Sequence, residues 1–384
     1  MRKLSWGLIG GGRNSQIGPA HRLGAIAHGK FEFLSGALDI EPVASREFGL
    51  ELGLEADRSY GSWQEMLSME INKEDRLDLV TIATPNSTHF EIAKAFLEAG
   101  FNVFCEKPMT MTVKESEILF TTSIKRRKIC AVNYGYTGYP LVREMKHMVE
   151  SGKLGAIRLV KAEFAHGHHS DASDMDNPRV KWRYDPKQAG VSAVLADCGI
   201  HALHMACFVT GQEVTHLSAD FVSTVASRKL EDDAFVNFRM DGGTVGRLWA
   251  SSIALGRQHG LSLQVFGEDG GLSWYQEQPN QLFYMPLGGR KEIIERGDTG
   301  LSQIAQEASR VAIGHPEGMP LAFANLYRDL AEEITIRKVG KTSTSKPLFP
   351  DVESGLRSVS CIYAAKDSSI ANGTWVSAVP NCLN

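Results

Sequence analysis

Short apolar runs alternate with amphipathic stretches along the first 130 residues of the chain. Four of these runs have the length and composition of buried strands: Leu4–Ile9, Phe31–Leu38, Leu77–Ala83 and Phe101–Cys105. Between them, stretches such as residues 90–97 carry apolar side chains at helical spacing. Strand-helix-strand alternation of this kind predicts a parallel sheet that is covered by helices on both faces.

The pattern changes after about residue 132. A long apolar stretch, Val191–Val209, predicts a helix, and strands with a period of two follow it. The predicted strands are Thr215–Val225, Ala234–Arg239, Thr244–Ser252, Leu261–Gly267 and Leu272–Tyr275. Turn signals at residues 241–243 and 269–271 separate them, which predicts a mostly antiparallel sheet. Helices are also predicted near Leu321–Ile334 and Glu353–Asn372, and Gly340–Pro350 resembles a linker.

These patterns predict an α/β chain of two domains, which suits a length of 384 residues. Residues 1–131 would form a doubly wound parallel sheet. Residues 132–384 would form an α+β domain with a large, open, mostly antiparallel sheet that binds substrate and forms oligomer contacts. The last helix, about residues 353–372, is a candidate to pack back on the first domain.

Composition narrows the class of protein. Hydrophobic residues make up 43% of the chain and charged residues 22%, values of an ordinary globular protein. A net charge of −4 argues against a nucleic-acid or anionic-membrane partner. There is no apolar run of about 18 residues, which a membrane span needs, and the N-terminal apolar run is too short for a signal peptide. Six cysteines without CxxC spacing predict reduced thiols in a cytoplasmic protein.

The first predicted strand ends in a glycine-rich loop, Gly10-Gly11-Gly12-Arg13-Asn14-Ser15. Glycines at such a place let the backbone turn tightly and let a pyrophosphate approach the main-chain N–H groups. Gly10 and Gly12 match the first two positions of GxGxxG, and Ser15 holds the third. A plain turn at the end of the strand is the alternative interpretation.

An acidic residue, Asp39, ends the second predicted strand. A carboxylate there would accept hydrogen bonds from ribose hydroxyls and repel a 2′-phosphate, which favours NAD over NADP. It follows Gly10 by 29 residues, more than the usual spacing of about 20. An extra loop at Gln16–His21 would explain the excess. The alternative is that Asp39 is only a turn residue.

The next two predicted strands end in Thr84-Pro85-Asn86, with His89 close behind, and in Glu106-Lys107-Pro108. Ligands of open α/β sheets lie beyond the carboxyl ends of the strands, so these two segments are expected to flank one crevice. A lysine at such a place is unusual as packing, because lysine is costly to bury.

At these positions the chain resembles the Gfo/Idh/MocA oxidoreductases. The matching motifs fall in family order: Gly10-Gly11-Gly12, Thr84-Pro85-Asn86 with His89, Glu106-Lys107-Pro108, Trp182-Arg183, Asp197-Cys198-Gly199-Ile200-His201 and Gly355-Leu356. The resemblance implies an N-terminal Rossmann domain and a C-terminal domain with a large open sheet. It implies hydride transfer between NAD(P) and one hydroxyl or keto group of a sugar, cyclitol or related polyol.

The resemblance also implies a set of cofactor contacts. These are Gly10, Gly12, Arg13, Asn14, Ser15, Asp39, Thr84, Pro85, Asn86, His89, Glu106 and Arg183. Arg183 is a candidate for the substrate as well. Ser15 departs from the family's third glycine.

Asp197 and His201 stand at i and i+4 on the predicted helix, so they would share a face. An imidazole can accept a hydroxyl proton near pH 7, and a carboxylate one turn away can hold the imidazole or the substrate. Without the family, a surface pair is the simpler interpretation. The resemblance places both beside the nicotinamide, with His201 as general base, Lys107 as donor to the reacting oxygen and Asp197 as the orienting carboxylate.

Two further groups are weaker candidates for substrate contact. One is His168, in a cluster of histidines at residues 166–169 followed by Asp171, Asp174 and Asp176; a metal site and a solvated loop are the alternatives, and no metal is predicted. The other is His315, which could instead serve helix-entry turn chemistry.

Three functions remain open at this point. An NAD-dependent sugar or cyclitol dehydrogenase leads. A glycosidase that retains NAD and oxidises its substrate transiently is the second. A non-catalytic dinucleotide-binding sensor is the third, and the presence of both Lys107 and His201 argues against it. Neither face of Thr244–Ser252 is cleanly polar, which predicts a homodimer or homotetramer through the second sheet.

Overall fold

The structure is a computed structural model that describes residues 2–343 and 346–383. The chain divides into two compact units, and each is assembled from separate stretches. The first unit comprises Met1–Thr110, Lys114–Gly138 and Met319–Leu356, and the second comprises Met111–Val113, Tyr139–Gly318 and Arg357–Asn384. The continuous division after residue 131 stays a prediction.

Strands and helices are numbered along the chain. The strands are β1 (Leu4–Gly10), β2 (Phe31–Ala37), β3 (Leu79–Ala83), β4 (Asn102–Cys105), β5 (Cys130–Val132), β6 (Ile157–Ala165), β7 (Val214–Val222), β8 (Asp233–Met240), β9 (Val245–Ser251), β10 (Leu261–Gly267), β11 (Gly270–Tyr275), β12 (Gln281–Pro286), β13 (Glu292–Glu295) and β14 (Val376–Ser377). The helices are α1 (Gly18–Ile26), α2 (Pro42–Glu51), α3 (Trp63–Glu70), α4 (His89–Glu98), α5 (Val113–Arg126), α6 (Pro140–Glu150), α7 (Pro178–Lys181), α8 (Pro186–Ala189), α9 (Ile200–Thr210), α10 (Gln303–Ala308), α11 (Met319–Lys338) and α12 (Val352–Ile370).

The first unit contains a five-stranded sheet in the order β2-β1-β3-β4-β5, and every pair in it is parallel. All five residues of β3 are buried, as expected for a strand covered on both faces. The predicted doubly wound parallel sheet is thus confirmed. The strand order reverses between β1 and β3, and such a switch point opens a crevice at the carboxyl ends of those two strands.

The core of the first unit joins the sheet to α11, which returns from far along the sequence. Trp6 of β1 and Phe104 of β4 belong to one apolar cluster with Leu326 and Tyr327 of α11. The predicted linker Gly340–Pro350 lies partly outside the described residues, at positions 344 and 345. Its end is anchored, because Phe349 is buried in the same cluster.

The second unit contains a nine-stranded sheet in the order β13-β12-β11-β10-β6-β9-β8-β7-β14. All its pairs are antiparallel except β6 with β9, which confirms the predicted mostly antiparallel sheet. The sequence patterns missed β6, its central strand. Exposed Arg158 and Lys161 interrupt the apolar run there, while Val160 and Ala162 are buried.

Candidate active site

The glycine loop follows β1 at the switch point of the first sheet. Gly10 has a φ of +76°, which side-chain-bearing residues rarely adopt, and it is paired in register with Ala83 of β3. Gly18, the first residue of α1, packs against the loop in the way that the third glycine of such a motif does. A Cβ on Gly18 would lie 2.2 Å from the carbonyl oxygen of Gly11, so only glycine lets α1 pack this close to the loop.

The extra loop predicted at Gln16–His21 is shorter than expected, because α1 begins at Gly18. The Ser15 hydroxyl accepts a hydrogen bond from the N–H of Gly18 at 3.0 Å, so Ser15 serves the entry to α1. Arg13 and Asn14 are exposed in the same loop. Arg13 pairs with Glu51 of α2, and its guanidinium lies 5.0 Å from the ring centre of Phe48.

Asp39 is exposed just beyond β2 and faces the glycine loop. Its Oδ2 atom would lie only 3.2 Å from a Cβ placed on Gly12, and its Oδ1 atom accepts a hydrogen bond from the N–H of Glu41 at 3.1 Å. A left-handed glycine turn before a helix, with a carboxylate at the end of the neighbouring strand, fits a dinucleotide. These residues would hold the pyrophosphate and the adenosine ribose of NAD.

His89 links the segment after β3 to the segment after β4. The two nitrogens of this fully buried ring lie 2.9 Å from the carbonyl oxygens of Thr84 and Pro108. Burial lowers the pKa of His89. The ring nitrogens are engaged within the unit, and the predicted contact of His89 with the cofactor stays untested. Thr84 and Asn86 are partly exposed, and Pro85 is exposed.

Glu106 and Lys107 follow β4 directly, and both side chains are partly exposed. The Oε1 atom of Glu106 accepts hydrogen bonds from Asn133 and from His21 of α1, the latter at 2.9 Å. Its Oε2 atom accepts one from the main-chain N–H of Lys107 at 3.3 Å. The lysine therefore follows an immobilised carboxylate at the carboxyl edge of the parallel sheet.

In the second unit, the helix predicted over Val191–Val209 is not a single α-helix. Leu195–Gly199 form a π-helical turn, and α9 follows it. The i, i+4 spacing of Asp197 and His201 therefore crosses a change of helical period, which re-aims Asp197 relative to a regular α-helix. Gly199 has no room for a side chain, because a Cβ there would lie 2.8 Å from the Cβ of Ala250 in β9.

Arg183 contacts a predicted catalytic carboxylate. Its Nε atom donates to Oδ2 of Asp197 at 3.1 Å, and its guanidinium lies 4.6 Å from the ring centre of Trp182. The carboxylate is 36% exposed, so it can also meet a ligand. The cofactor contact predicted for Arg183 stays a prediction. The contact of the guanidinium with this carboxylate is a charge-assisted hydrogen bond.

One aromatic ring is placed next to His201, and a group of histidine rings lies beside that aromatic ring. The ring of Phe164 in β6 lies 6.1 Å from that of His201. Beside them, Nδ1 of His166 accepts the main-chain N–H of His168, so Nε2 carries the proton and faces the sulfur of Cys198 at 3.4 Å. Burial, followed by the neighbouring histidines, lowers the pKa of His166 to about 4.

The remaining candidates have mixed surroundings. His168 is exposed, and its ring lies 4.7 Å from that of His166. His169 lies 3.8 Å from Asp174. Among the described residues, no three His, Cys, Asp or Glu side chains are placed to hold a metal ion. His315 is exposed in the loop before α11, and its carbonyl oxygen accepts from buried Arg296 at 2.6 Å.

Three features escaped the sequence patterns. These are the packing of Gly18 against the glycine loop, the contact of His21 with Glu106 and the contact of Arg183 with Asp197. A signal existed for the first, because Gly18-Pro19 marks a helix start and the 29-residue distance to Asp39 required extra residues. The other two are side-chain contacts between distant residues, which periodicity does not report.

The fold and the glycine loop define a class of protein, the NAD-dependent oxidoreductases. The model of an oxidoreductase family with an NAD-binding Rossmann fold matches residues 4–134, and that of the GFO/IDH/MocA C-terminal domain matches residues 142–273. The chain belongs to the Gfo/Idh/MocA oxidoreductase family, as the sequence motifs predicted. The predicted NAD cofactor is likewise confirmed.

Relatives match along most of the chain. The uncharacterized oxidoreductase YfiI of Bacillus subtilis is 34% identical over 98% of this chain and 97% of its own. Levoglucosan dehydrogenase of Pseudarthrobacter phenanthrenivorans is 27% identical over 73% of this chain and 76% of its own.

Solved structures of similar proteins cover nearly the whole chain. An inositol dehydrogenase homolog from Azotobacter vinelandii, in complex with NAD+, is 36% identical with a TM-score of 0.93, covering 98% of this chain and 97% of its own. A structure of an inositol dehydrogenase homolog from the same organism in complex with NADH and myo-inositol is 35% identical with a TM-score of 0.89, covering 98% of this chain and 98% of its own. Separately, no helix within residues 2–343 and 346–383 has the length and apolar character that crossing a membrane requires.

Proposed function

We propose that this enzyme transfers a hydride between NAD and a secondary hydroxyl or keto group of a polyol: a sugar, glycoside, anhydrosugar or cyclitol. The observation that carries the proposal is the partly exposed Asp197 carboxylate, held by Arg183 on a π-helical turn four residues before His201. Adjacent acceptors and donors of this kind suit a substrate with several hydroxyl groups. Relatives named for inositol and levoglucosan support the same class.

Each catalytic side chain has a separate task in this proposal. His201 accepts the hydroxyl proton, because a neutral imidazole is a base near pH 7. Lys107 donates a hydrogen bond to the reacting oxygen and stabilises its developing negative charge. Asp197 orients the substrate or His201. NAD, when bound, supplies the acceptor for the hydride. His168 and His315 are proposed as further substrate contacts.

A screen of NAD and NADP reduction at about 340 nm tests the proposal. Monosaccharides, inositols, glycosides and anhydrosugars are compared at equal concentration, with the Lys107→Ala variant as the negative control. We expect steady NADH production with at least one polyol. Glycoside cleavage without net NADH would support the NAD-retaining glycosidase instead. Tight dinucleotide binding with neither activity would support a sensor.

Asp39 is expected to make the enzyme prefer NAD over NADP. Its carboxylate faces the glycine loop and would repel a 2′-phosphate at close range, and exposed Ile40 and Glu41 follow it. We expect Asp39→Ser to reduce the preference, measured as the ratio of the two kcat/KM values, by about 10- to 100-fold, or about 1.4–2.7 kcal/mol. Glu41→Ser, which removes an exposed carboxylate two residues away, is the matched control. Equal use of NADP by the unaltered enzyme would refute this prediction.

We propose that the protein is a homo-oligomer that associates through the face of the second sheet carrying Phe235 and Trp249. These rings stack with centroids 5.7 Å apart, and Phe235 is 53% exposed in a sheet strand. Light scattering is expected to give a multiple of 42.1 kDa. Phe235→Lys should lower that mass, whereas Leu255→Lys, in an exposed loop, should not. A mass of one chain across a wide concentration range would contradict the proposal.

A further inference from the structure

A chain of buried hydrogen bonds runs through the first unit to Glu106. The indole N–H of Trp6 donates to the hydroxyl of Thr81 at 2.9 Å, and the hydroxyls of Thr81 and Tyr327 lie 2.9 Å apart. The Tyr327 hydroxyl lies 2.9 Å from Nδ1 of His21, and Nε2 of His21 lies 2.9 Å from Oε1 of Glu106. His21 is fully buried, as are Trp6 and Thr81.

The two ends of this chain fix its direction. The indole N–H of Trp6 can only donate, so the Thr81 hydroxyl oxygen accepts from it. The single proton of the Thr81 hydroxyl is then free to be donated to the Tyr327 hydroxyl. The Tyr327 hydroxyl accepts that proton and gives its own to Nδ1 of His21. Any other arrangement of these four contacts leaves a buried donor without an acceptor among them, which is unfavourable. Nδ1 of His21 is therefore an acceptor, and Nε2 donates to Glu106.

We propose that His21 is a positioning residue for the reaction: its Nε2–H, oriented by Trp6, Thr81 and Tyr327, holds the Glu106 carboxylate as a fixed anion beside Lys107. This inference rests on the proposed function, in which Lys107 donates to the reacting oxygen, and on the cofactor contact that the family resemblance implies for Glu106. His21 itself is fully buried. It acts through Glu106, which lies 85 residues further along the chain.

The charge on Glu106 depends on these donors. Burial opposes the charge, but the hydrogen bond and charge interaction with His21, followed by the hydrogen bond from Asn133 and the charge of Lys107, outweigh burial, and the pKa of Glu106 is lowered. The other titratable groups near this carboxylate are His89, Cys105 and Tyr327, and burial shifts the pKa of each toward its neutral form. Loss of the His21 donor should therefore raise the pKa of Glu106.

Two amide substitutions at residue 21 separate this role from packing. In His21→Gln the amide N–H group stands where Nε2 stood and can still donate to Glu106. In His21→Asn the amide stands where Nδ1 stood, so it meets Tyr327 but not Glu106. Both variants replace the same buried ring by a smaller polar group. A role in packing alone predicts that Gln and Asn behave alike.

The first readout is the lowest-pH limb of the profile of kcat/KM against pH, which lies below the limb set by the base His201 because the pKa of Glu106 is lowered. We expect its midpoint to rise by about one pH unit in His21→Asn and to stay near that of the unaltered enzyme in His21→Gln, with thermal midpoints measured on the same samples. The second readout needs no substrate. The ratio of NAD+ to NADH affinity, from fluorescence titration, should fall about 3- to 10-fold in His21→Asn at about pH 4.5 and recover at about pH 8, because a neutral Glu106 no longer favours the cationic ring.

The third readout uses the unaltered protein. Long-range ¹H–¹⁵N correlation on histidine-labelled protein should show His21 with Nε2 protonated and Nδ1 bare, the signal being assigned by its loss in His21→Gln. A proton on Nδ1 alone, or equal affinity ratios in the Asn and Gln variants, would overturn the inference. If no polyol is oxidised, the proposed function fails, while the affinity ratio and the tautomer still decide the role of His21.

Discussion

Replacing Lys107 by alanine is expected to lower kcat by about 10²–10⁴-fold, the usual loss when a positioned proton-transfer group is removed. NAD affinity should stay within a few-fold. The groups that fit the pyrophosphate and the ribose are in the loop from Gly10 to Gly18 and at Asp39. Steady-state kinetics and an NAD titration on the same sample check both parts.

Two further variants make this test specific. Lys107→Arg should rescue poorly, because a planar guanidinium does not place a compact charge at the same point and does not release its proton. Lys114→Ala, which removes an exposed lysine at the start of α5, is the matched control and should leave kcat unchanged. If Lys107→Ala lowered the thermal midpoint but kept kcat within a few-fold, Lys107 would be only a structural residue.

Replacing His201 by asparagine should cause a loss of similar size, about 10²–10⁴-fold in kcat, because asparagine keeps a polar group but cannot accept the substrate proton. The loss should be accompanied by removal of the acid limb of kcat that reports the base. His216→Asn, at an exposed histidine in β7, is the control. An unchanged pH profile in His201→Asn would exclude His201 as the base.

The double variant Lys107→Ala/His201→Asn tests whether the two groups serve one reaction step. Its loss of kcat should be smaller than the product of the two single losses, since catalytic groups that act as a unit are not additive. Losses that multiply would show that the two residues act independently.

Local patterns were sufficient for the class of fold. The apolar runs from Leu4 and from Leu77 became β1 and β3, and the turn signals at residues 241–243 and 269–271 separate antiparallel strands. The glycine loop and Asp39 follow adjacent strands as their order predicted. These features depend on residues close in sequence, and strand ends of a parallel sheet share one edge wherever its helices lie.

Helical period could not be predicted from spacing. The four-residue spacing of Asp197 and His201 is the spacing of an α-helix, but the chain forms a π-helical turn over Leu195–Gly199. The Glu231 carboxylate accepts the N–H of Leu195 at 3.2 Å, which satisfies a main-chain donor at the start of that turn. Periodicity of apolar residues does not register such a contact with a residue 36 positions away.

The sequence by itself determined the family, the two kinds of sheet and the type of cofactor, because each is encoded in short motifs and in periods of two or 3.6 residues. Only the tertiary structure decided that Gly18 packs against the glycine loop, that Arg183 holds Asp197 and that His21 holds Glu106. The physical reason is distance along the chain. Such partners meet only after strands and helices have packed, and the direction of each buried hydrogen bond depends on every other donor and acceptor in its chain.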